Sequence, residues 1–552
     1  MWQKGWRDRT WLELDRPWDV IVIGGGITGA GILREATRVG LRALLLEAQD
    51  FASGTSSRSS KLVHGGLRYL GNGQIKTTVA AVHERERLLK EAKGLINPLG
   101  FLYVSYAGDR LPLWALGLGL IVYDLLGLHW GHKRYDPAGL ARLAPTIKQS
   151  NLKGGYRYFD AVTDDARLVL RIIRESVRAG GLALNYAPVQ KVLRRNDGQV
   201  CGVAIQDDCE EAIGRTTEIL AKVVVNATGA SADRLRSNVG GRPRLRSLRG
   251  SHLIFPADKF PILRATSYSH PVDGRPVFAI PWEGVTLFGT TDVDHGSASI
   301  LEPVISSCEL DYLLTAVAYA FPSLELTQAD IQATLTGIRA VVNTGKSEPS
   351  RESREHAIWT DEGLLTVTGG KLTTFRVMAL EALRAVRSKF AGRPSFRGQI
   401  VFDDPLDSSK LAGLAPGERL RLMGRYGWEA PSLAAAAHPG DLMPVDENLG
   451  SLALWAELRW AARAEGVFHL DDLLLRRVRL GLILPEGGLP LMDQIRVIVQ
   501  PELGWDDRRW QREVAAYAQC WCSQHQPTQS NLSNALRAKY TGRGEPSMPS
   551  RL

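Results

Sequence analysis

The sequence predicts an α/β chain made of a Rossmann-type dinucleotide-binding domain, an antiparallel-sheet domain and a helical C-terminal part. Three observations carry this. A short apolar strand runs directly into Gly24, Gly26 and Gly29; a series of short strands begins after Arg249; and beyond residue 400 apolar residues recur at spacings of three and four, with arginines between them. A chain of 552 residues is too long for one small core, so two or three domains are expected.

The glycine stretch, DVIVIGGGITGAG, organises the rest. Residues 19–23 read as a β-branched strand and residues 27–39 as the helix that follows. Gly24 permits the tight bend, Gly26 lets the main chain approach a pyrophosphate, and Gly29 lets the helix pack on its strand. The helix start then offers NH groups and a positive dipole end to that pyrophosphate. The next strand, residues 41–46, ends in Glu47, 23 residues past Gly24. A carboxylate there can accept both hydroxyls of an adenosine ribose.

The loop FASGTSSRSSKLVHGGLRYLG comes next and can lie along the dinucleotide. Within it His64, Arg68 and Tyr69 offer a proton acceptor, a fixed cation and a phenol. Residues 80–92 have helical spacing with a charged solvent face. In DDARLVLRIIRESVRAG, Asp164 or Asp165 can cap a helix that turns Leu168, Ile172 and Val177 inward. Residues 182–205 alternate like sheet about an Asn196-Asp197-Gly198 hairpin turn. KVVVNATG then returns the chain to the cofactor face, so the first domain is discontinuous.

GSHLIFP, PVFAIPW and VTLFGTTDVD read as a mainly antiparallel sheet able to roof the cofactor. LLTVTGGKLTT completes it as a strand, a Gly369-Gly370 turn and the start of a helix through Ala385. This repeats the phosphate-cradling geometry and puts Lys371 near the first strand. The expected division is 17–75 with 155–248 and 355–390 for the dinucleotide domain, and 76–154 with 249–354 for the substrate domain. A helical domain of structural role spans 400–525, and 526–552 form a mobile tail.

Composition narrows the class. Hydrophobic residues at 44% and charged residues at 23% suit a soluble globular fold. The formal charge of +9 suits anionic substrates or lipid surfaces as well as plain solubility, and no basic, aromatic-interleaved block marks a nucleic-acid binder. Five cysteines, only Cys520 and Cys522 close together, argue for incidental thiols, no metal site and a reducing compartment. The N-terminal segment lacks the apolar core of a secretory signal. Its tryptophans suit either a membrane interface or a packed lead-in arm. PLWALGLGLIVYDLLGLH is interrupted by Asp124 and reads as a buried or surface-docking helix, not a spanning one.

The strings VIGGGITGAGI, SSKLVHGGLRYL, DDARLVL, VNATG, RGSH, IPW, GTTDVD and GGKLTTFR, in that order, resemble the FAD-dependent glycerol-3-phosphate dehydrogenases of the aerobic, quinone-linked type. RYGW, ELRWAARAE and DDLLLRRVRLGLILPEGG extend the resemblance into the helical part. It implies a glutathione-reductase-like FAD domain with FAD held noncovalently. It also implies oxidation of sn-glycerol 3-phosphate to dihydroxyacetone phosphate, and transfer of electrons to a membrane quinone by a protein bound peripherally to the inner face of the cytoplasmic membrane. A homodimer is compatible with it. By position, His64, Arg68, Tyr69, His252, Arg339, Arg354 and Lys371 match the substrate pocket. Gly24, Gly26, Gly29, Glu47, Thr55, Ser56, Ser60, Thr228, Gly229, Gly369 and Gly370 fall on the FAD side. Thr28 stands where bacterial members often have Asn, and Arg351 competes with Arg354 for one position.

The chemistry asks for the same residue types. Turning a secondary alcohol into a ketone removes a hydroxyl proton and a hydride from one carbon, so a base must sit beside the cofactor. A neutral imidazole, His252 or His64, suits that base. Lys371 can hold the hydroxyl and stabilise a developing alkoxide, and planar guanidiniums suit a phosphate dianion. The rivals are a glycerophosphate oxidase that uses oxygen, a flavin-binding protein without turnover, and an NAD-dependent dehydrogenase.

Overall fold

Trp18–Ile23 is buried along its whole length because it pairs in parallel on both sides. Its neighbours are Ala43–Leu46 and Thr216–Asn226, and a strand enclosed this way must be apolar on both faces. The sheet continues to Leu182–Leu184 on one side and to Leu364–Gly369 on the other, with His356–Asp361 closing that edge as an antiparallel hairpin. The expected hairpin forms between Val189–Arg194 and Val200–Gln206, and the latter strand pairs with the first half of Thr216–Asn226. The structure, a computed structural model, describes residues 2–67, 74–127, 131–209, 214–296, 302–349, 352–402, 408–446 and 453–527.

One face of this sheet is covered by helices Ile27–Arg38, Asp165–Arg178 and Phe375–Ala385. A Cβ on Gly31 would meet the Phe375 ring at 2.9 Å, so the first helix packs this closely on the third because residue 31 has no side chain. Asp164, not Asp165, caps the middle helix by accepting from the Arg167 N–H at 3.1 Å. Leu168 and Ile172 are fully buried and Val177 partly so. Arg167 and Arg174 on this helix are buried too, against the C-terminal part. Arg167 donates to both oxygens of Glu465, at 2.5 and 2.9 Å, Arg174 pairs with Glu429, and Asp164 takes Arg425 at 2.8 Å.

The second sheet has ten strands. Near one edge Leu245–Pro256 is flanked by Val285–Gly289 and Ala333–Val342 in antiparallel register. Pro276–Trp282 and Ala265–Ser269 follow, and a single parallel pairing then joins Ile96–Tyr106 and, beyond it, Leu152–Thr163. The sheet is therefore mainly antiparallel as expected, but the strand expected to complete it, Leu364–Gly369, pairs instead with Thr216–Asn226 in the first sheet.

The helical part contains Pro416–Tyr426, Trp455–Ala464, Met492–Leu503 and Asp507–Gln524. The segment expected to be one helix over 471–480 is a π-helix, Asp472–Arg477, that ends where Arg479 takes a left-handed backbone at φ 63°. Residues 528–552 of the expected mobile tail lie outside the described residues.

The N-terminal arm packs inward. Trp2 stacks on Phe51 with ring centres 5.2 Å apart, and Trp6, buried beside it, opens the helix Trp6–Leu12. Arg7 grips the Asp207 carboxylate at 2.7 and 2.9 Å and the carbonyls of Asn185 and Tyr186. Of the two readings of those tryptophans, the packed arm is the one adopted. The apolar run forms helix Leu113–Gly127, whose Leu116, Leu120 and Tyr123 are buried while Trp114, Leu118, Val122 and Leu125 are exposed. Among the described residues no helix is long and apolar enough to cross a membrane.

Candidate active site

The parallel strands end in register: Ile23 lies beside Leu46 and Asn226, and Asn226 beside Thr366. Gly24, Glu47, Thr228, Gly229, Gly369 and Gly370 therefore collect along one sheet edge, the carboxyl ends where open α/β sheets bind ligands. Gly24 has φ 111°, and a Cβ on Gly29 would collide with the Gly24 carbonyl, so both positions need glycine. The Gly25 N–H donates to Glu47 Oε2 at 2.6 Å, and the Ile27 N–H in the first helical turn donates to Ser56 Oγ at 2.9 Å. Burial pushes the Glu47 carboxyl above its ordinary pKa despite those backbone donors. Asn226 shapes the facing turn by accepting from both the N–H and the hydroxyl of Thr228, at 3.2 and 2.7 Å.

The Ser/Thr loop crosses from this edge onto the second sheet. Thr55 Oγ1 donates to the Ile338 carbonyl at 2.5 Å, and Ser60 Oγ lies 2.8 Å from His252 Nε2. His252 is buried on Leu245–Pro256, opposite Gly289 and Leu335, and a Cβ on Gly289 would strike its imidazole. Burial, with the positive charges of Arg339 and Lys61, brings its pKa down to about 3. It is neutral throughout the physiological range.

Arg339 lies on the neighbouring strand with its guanidinium over Gly250, where a Cβ would meet Nη2 at 2.5 Å. Its Nη1 donates to Asp292 Oδ1 at 3.0 Å, and Arg354 Nη2 donates to the other oxygen of the same carboxylate at 2.6 Å. One buried aspartate thus holds two guanidiniums side by side. Lys371, between strand and helix after Gly369-Gly370, has its ammonium pKa lowered to about 7 by burial and by the nearby Arg354 charge. The Lys371 charge also reaches His64, whose backbone bonds two residues further along the same turn. Burial lowers the His64 pKa to about 4, with Lys371 and Arg85 lowering it and Asp160 opposing them. The His64 backbone is pinned to Thr373 Oγ1 in both directions, at 3.1 and 3.2 Å.

The structure accordingly brings His64, His252, Arg339, Arg354 and Lys371 into one electrostatically connected group. Lys371 is two strands removed from Trp18–Ile23, with Thr216–Asn226 between them. Arg68, Tyr69 and Arg351 lie outside the described residues. Sequence reasoning missed Asp292, although it lies in the GTTDVD string; an aspartate in a polar turn carries no local mark of two distant arginine partners. It also missed Lys61, whose buried ammonium meets the Asp165 carboxylate at 2.8 Å and lies close enough to lower the His252 pKa. Equally hidden was the set behind His64, where Arg85 and Tyr123 each donate to Asp160 at 2.6 Å and the Gly65 N–H donates to it at 3.1 Å.

Comparison with known proteins gives the family. A family model described as FAD dependent oxidoreductase matches residues 19–376, and one described as the C-terminal domain of alpha-glycerophosphate oxidase matches residues 398–510. A Mycobacterium leprae protein named glycerol-3-phosphate dehydrogenase is 36% identical over 521 residues, covering 90% of this chain and 87% of that one. The Bacillus subtilis aerobic glycerol-3-phosphate dehydrogenase is 37% identical over 390 residues, 69% of each chain. The crystal structure of the Bacillus halodurans glycerol-3-phosphate dehydrogenase complexed with FAD superposes with a TM-score of 0.75 at 28% identity, covering 96% of this chain and all of that one. With these matches along nearly the whole chain, the protein belongs to the FAD-dependent glycerol-3-phosphate dehydrogenase family.

Proposed function

We propose that this chain oxidises sn-glycerol 3-phosphate to dihydroxyacetone phosphate and delivers the electrons to a quinone at the inner face of the cytoplasmic membrane. The observation that carries the substrate reading is the Asp292-bridged pair of Arg339 and Arg354 beside His252 and Lys371. Two planar cations anchored on one carboxylate are set to take a phosphate dianion, with a proton acceptor and an ammonium next to it.

The residues present fit FAD. The Gly24–Gly26 turn brings bare main chain to the sheet edge, nothing lies within 4 Å of where a Gly229 Cβ would stand, and Glu47 sits at the ribose position. Gly24, Gly26, Gly29, Glu47, Thr55, Ser56, Thr228, Gly229, Gly369 and Gly370 would hold it. Ser60, also on this side, has its hydroxyl turned to His252. When bound, FAD supplies the hydride acceptor.

The protein's share of the reaction is binding and proton handling. Arg339 and Arg354 take the phosphate, Lys371 and His64 hold the secondary hydroxyl, and His252 Nε2 accepts its proton in the place where Ser60 now bonds. A dianion on the two arginines offsets the charge that depresses His252 and Lys371. Substrate binding therefore raises the proton affinity of the base it is about to use.

The helix Leu113–Gly127 supports the membrane reading. Trp114, Leu118, Val122 and Leu125 make one exposed apolar face, and exposed Arg110, Lys133 and Arg134 flank the helix, a pairing suited to an anionic lipid surface. The test is turnover of sn-glycerol 3-phosphate with either a soluble quinone or oxygen as the acceptor, assaying dihydroxyacetone phosphate and peroxide. Quinone-dependent product without stoichiometric peroxide is expected. Fast oxygen consumption with stoichiometric peroxide would make the protein an oxidase, and no product with either acceptor would remove the substrate assignment.

A further inference from the structure

The loop over residues 47–61 is held on its outer side by the C-terminal helical part. Asp50 is completely buried, and its carboxylate accepts from Arg476 Nε at 2.6 Å, from Arg477 Nη1 and Nη2 at 2.6 and 2.7 Å, and from Asn185 Nδ2 at 3.0 Å. Burial opposes ionisation of Asp50, but the Arg477 and Arg476 guanidiniums outweigh it and hold the carboxyl well below its ordinary range. Further along, Arg479 Nη2 donates to the Ser57 carbonyl at 2.7 Å, and Arg58 Nη2 donates to Gln524 Oε1 at 2.8 Å.

The inner side of the same loop is fastened to the glycine turn. Gly25 donates to Glu47, Ala52 donates to the Gly25 carbonyl at 3.1 Å, and Ile27 donates to Ser56. Desolvating two adjacent guanidiniums is costly unless each is matched, and here the match is a residue just past the ribose-binding acid. None of these arginines has a part in the proton chemistry above.

We propose that Arg476, Arg477 and Arg479 form a clasp that positions the 47–61 loop for FAD, so that the C-terminal part governs cofactor retention. The inference rests on Glu47 and Ser56 facing FAD, as read above. Because FAD and the clasp order opposite sides of one stretch of backbone, loss of the clasp weakens FAD binding, and loss of FAD loosens the C-terminal part by the same coupling.

The test follows release of FAD from the full-length holoenzyme by the fluorescence of the freed flavin. Asp50→Asn combined with Arg477→Gln removes the charge pair without orphaning either partner. Arg479→Met removes the second hold while Lys61 still donates to the Ser57 carbonyl at 2.7 Å, and it decides the matter alone if the double variant does not fold. Arg174→Gln with Glu429→Gln neutralises a buried pair between the same two parts of the molecule that makes no hydrogen bond to the loop.

The clasp predicts FAD Kd raised about tenfold or more in the first two proteins and unchanged in the third, with KM for sn-glycerol 3-phosphate unaltered in FAD-loaded protein. Affinity within about twofold of the parent in the clasp variants, or equal loosening in the Arg174/Glu429 variant, overturns it. Glu47→Gln separates premise from proposal. If it leaves FAD affinity unchanged, the FAD placement falls and the clasp with it; if it weakens FAD while the clasp variants do not, the clasp alone falls.

Discussion

Arg339 can lie flat toward Asp292 only because residue 250 has no side chain. A methyl added there meets the far end of a flexible side chain, so Gly250→Ala displaces the guanidinium and leaves the strand intact. Losing one charge-assisted hydrogen bond costs about 1.5–3 kcal/mol, so KM for sn-glycerol 3-phosphate should rise roughly 10- to 100-fold with little change in melting temperature. Arg339→Lys, which keeps the charge but not the fork, should behave alike. Unchanged KM in both would take Arg339 out of the phosphate site.

Lys371 gives the pH dependence. Its free-enzyme pKa of about 7 means that it is a cation below neutrality and loses that charge as pH rises. Substrate capture by the cation therefore weakens on the alkaline side, and kcat/KM should fall about tenfold per pH unit once pH is well above that value. Lys371→Met should be slower at pH 7 and lack this limb; a retained limb would assign it to another group. His252 and His64 are neutral well below pH 6, so neither produces an acid limb near neutrality.

At the scale of the element, local pattern announced the βαβ unit, the Asn196-Asp197-Gly198 hairpin and the strand-glycine-helix unit around Gly369, because each is specified by residues adjacent in sequence. Arginines were harder to read. On helix Asp165–Arg178 their spacing looks like a solvent face, yet Arg167 and Arg174 are buried against Glu465 and Glu429, 298 and 255 residues away. Helical periodicity separates charged from apolar faces but not wet from dry ones. The same limit hid Asp292 and the Arg85–Tyr123–Asp160 set.

The helix Leu113–Gly127 was legible as apolar and interrupted, and the structure adds which face is free. Burying a leucine or larger apolar side chain is worth about 1.5–3 kcal/mol. Trp114→Ser with Leu118→Ser should therefore weaken binding to anionic vesicles about 100-fold while turnover with a soluble quinone is kept. Equal vesicle binding by the double variant would move the lipid contact elsewhere. Tyr123 on the inner face of this helix reaches the Asp160 that also holds Gly65, so the exposed apolar face and the His64 loop share one hydrogen-bonded support.

At the scale of the whole molecule, one stretch, residues 47–61, touches both sheets and the helical part. It carries Glu47 and Ser56 on the glycine turn, Ser60 on His252, and Asp50 and Ser57 in the grip of the C-terminal arginines. The family resemblance located both ends of this arrangement, but a long-range carboxylate–guanidinium match has no signature in spacing or composition.

If sn-glycerol 3-phosphate gives up its hydride in this site with His252 taking the proton, the substrate must reduce the bound flavin, and more slowly without that histidine. Anaerobic mixing of the substrate with the purified flavoprotein, followed at the oxidised-flavin absorbance band, tests it most directly. The account predicts rapid bleaching in the parent protein and bleaching slowed about 100- to 10,000-fold in His252→Asn. A flavin that stays oxidised with substrate in excess, or that bleaches equally fast without the histidine, would contradict it.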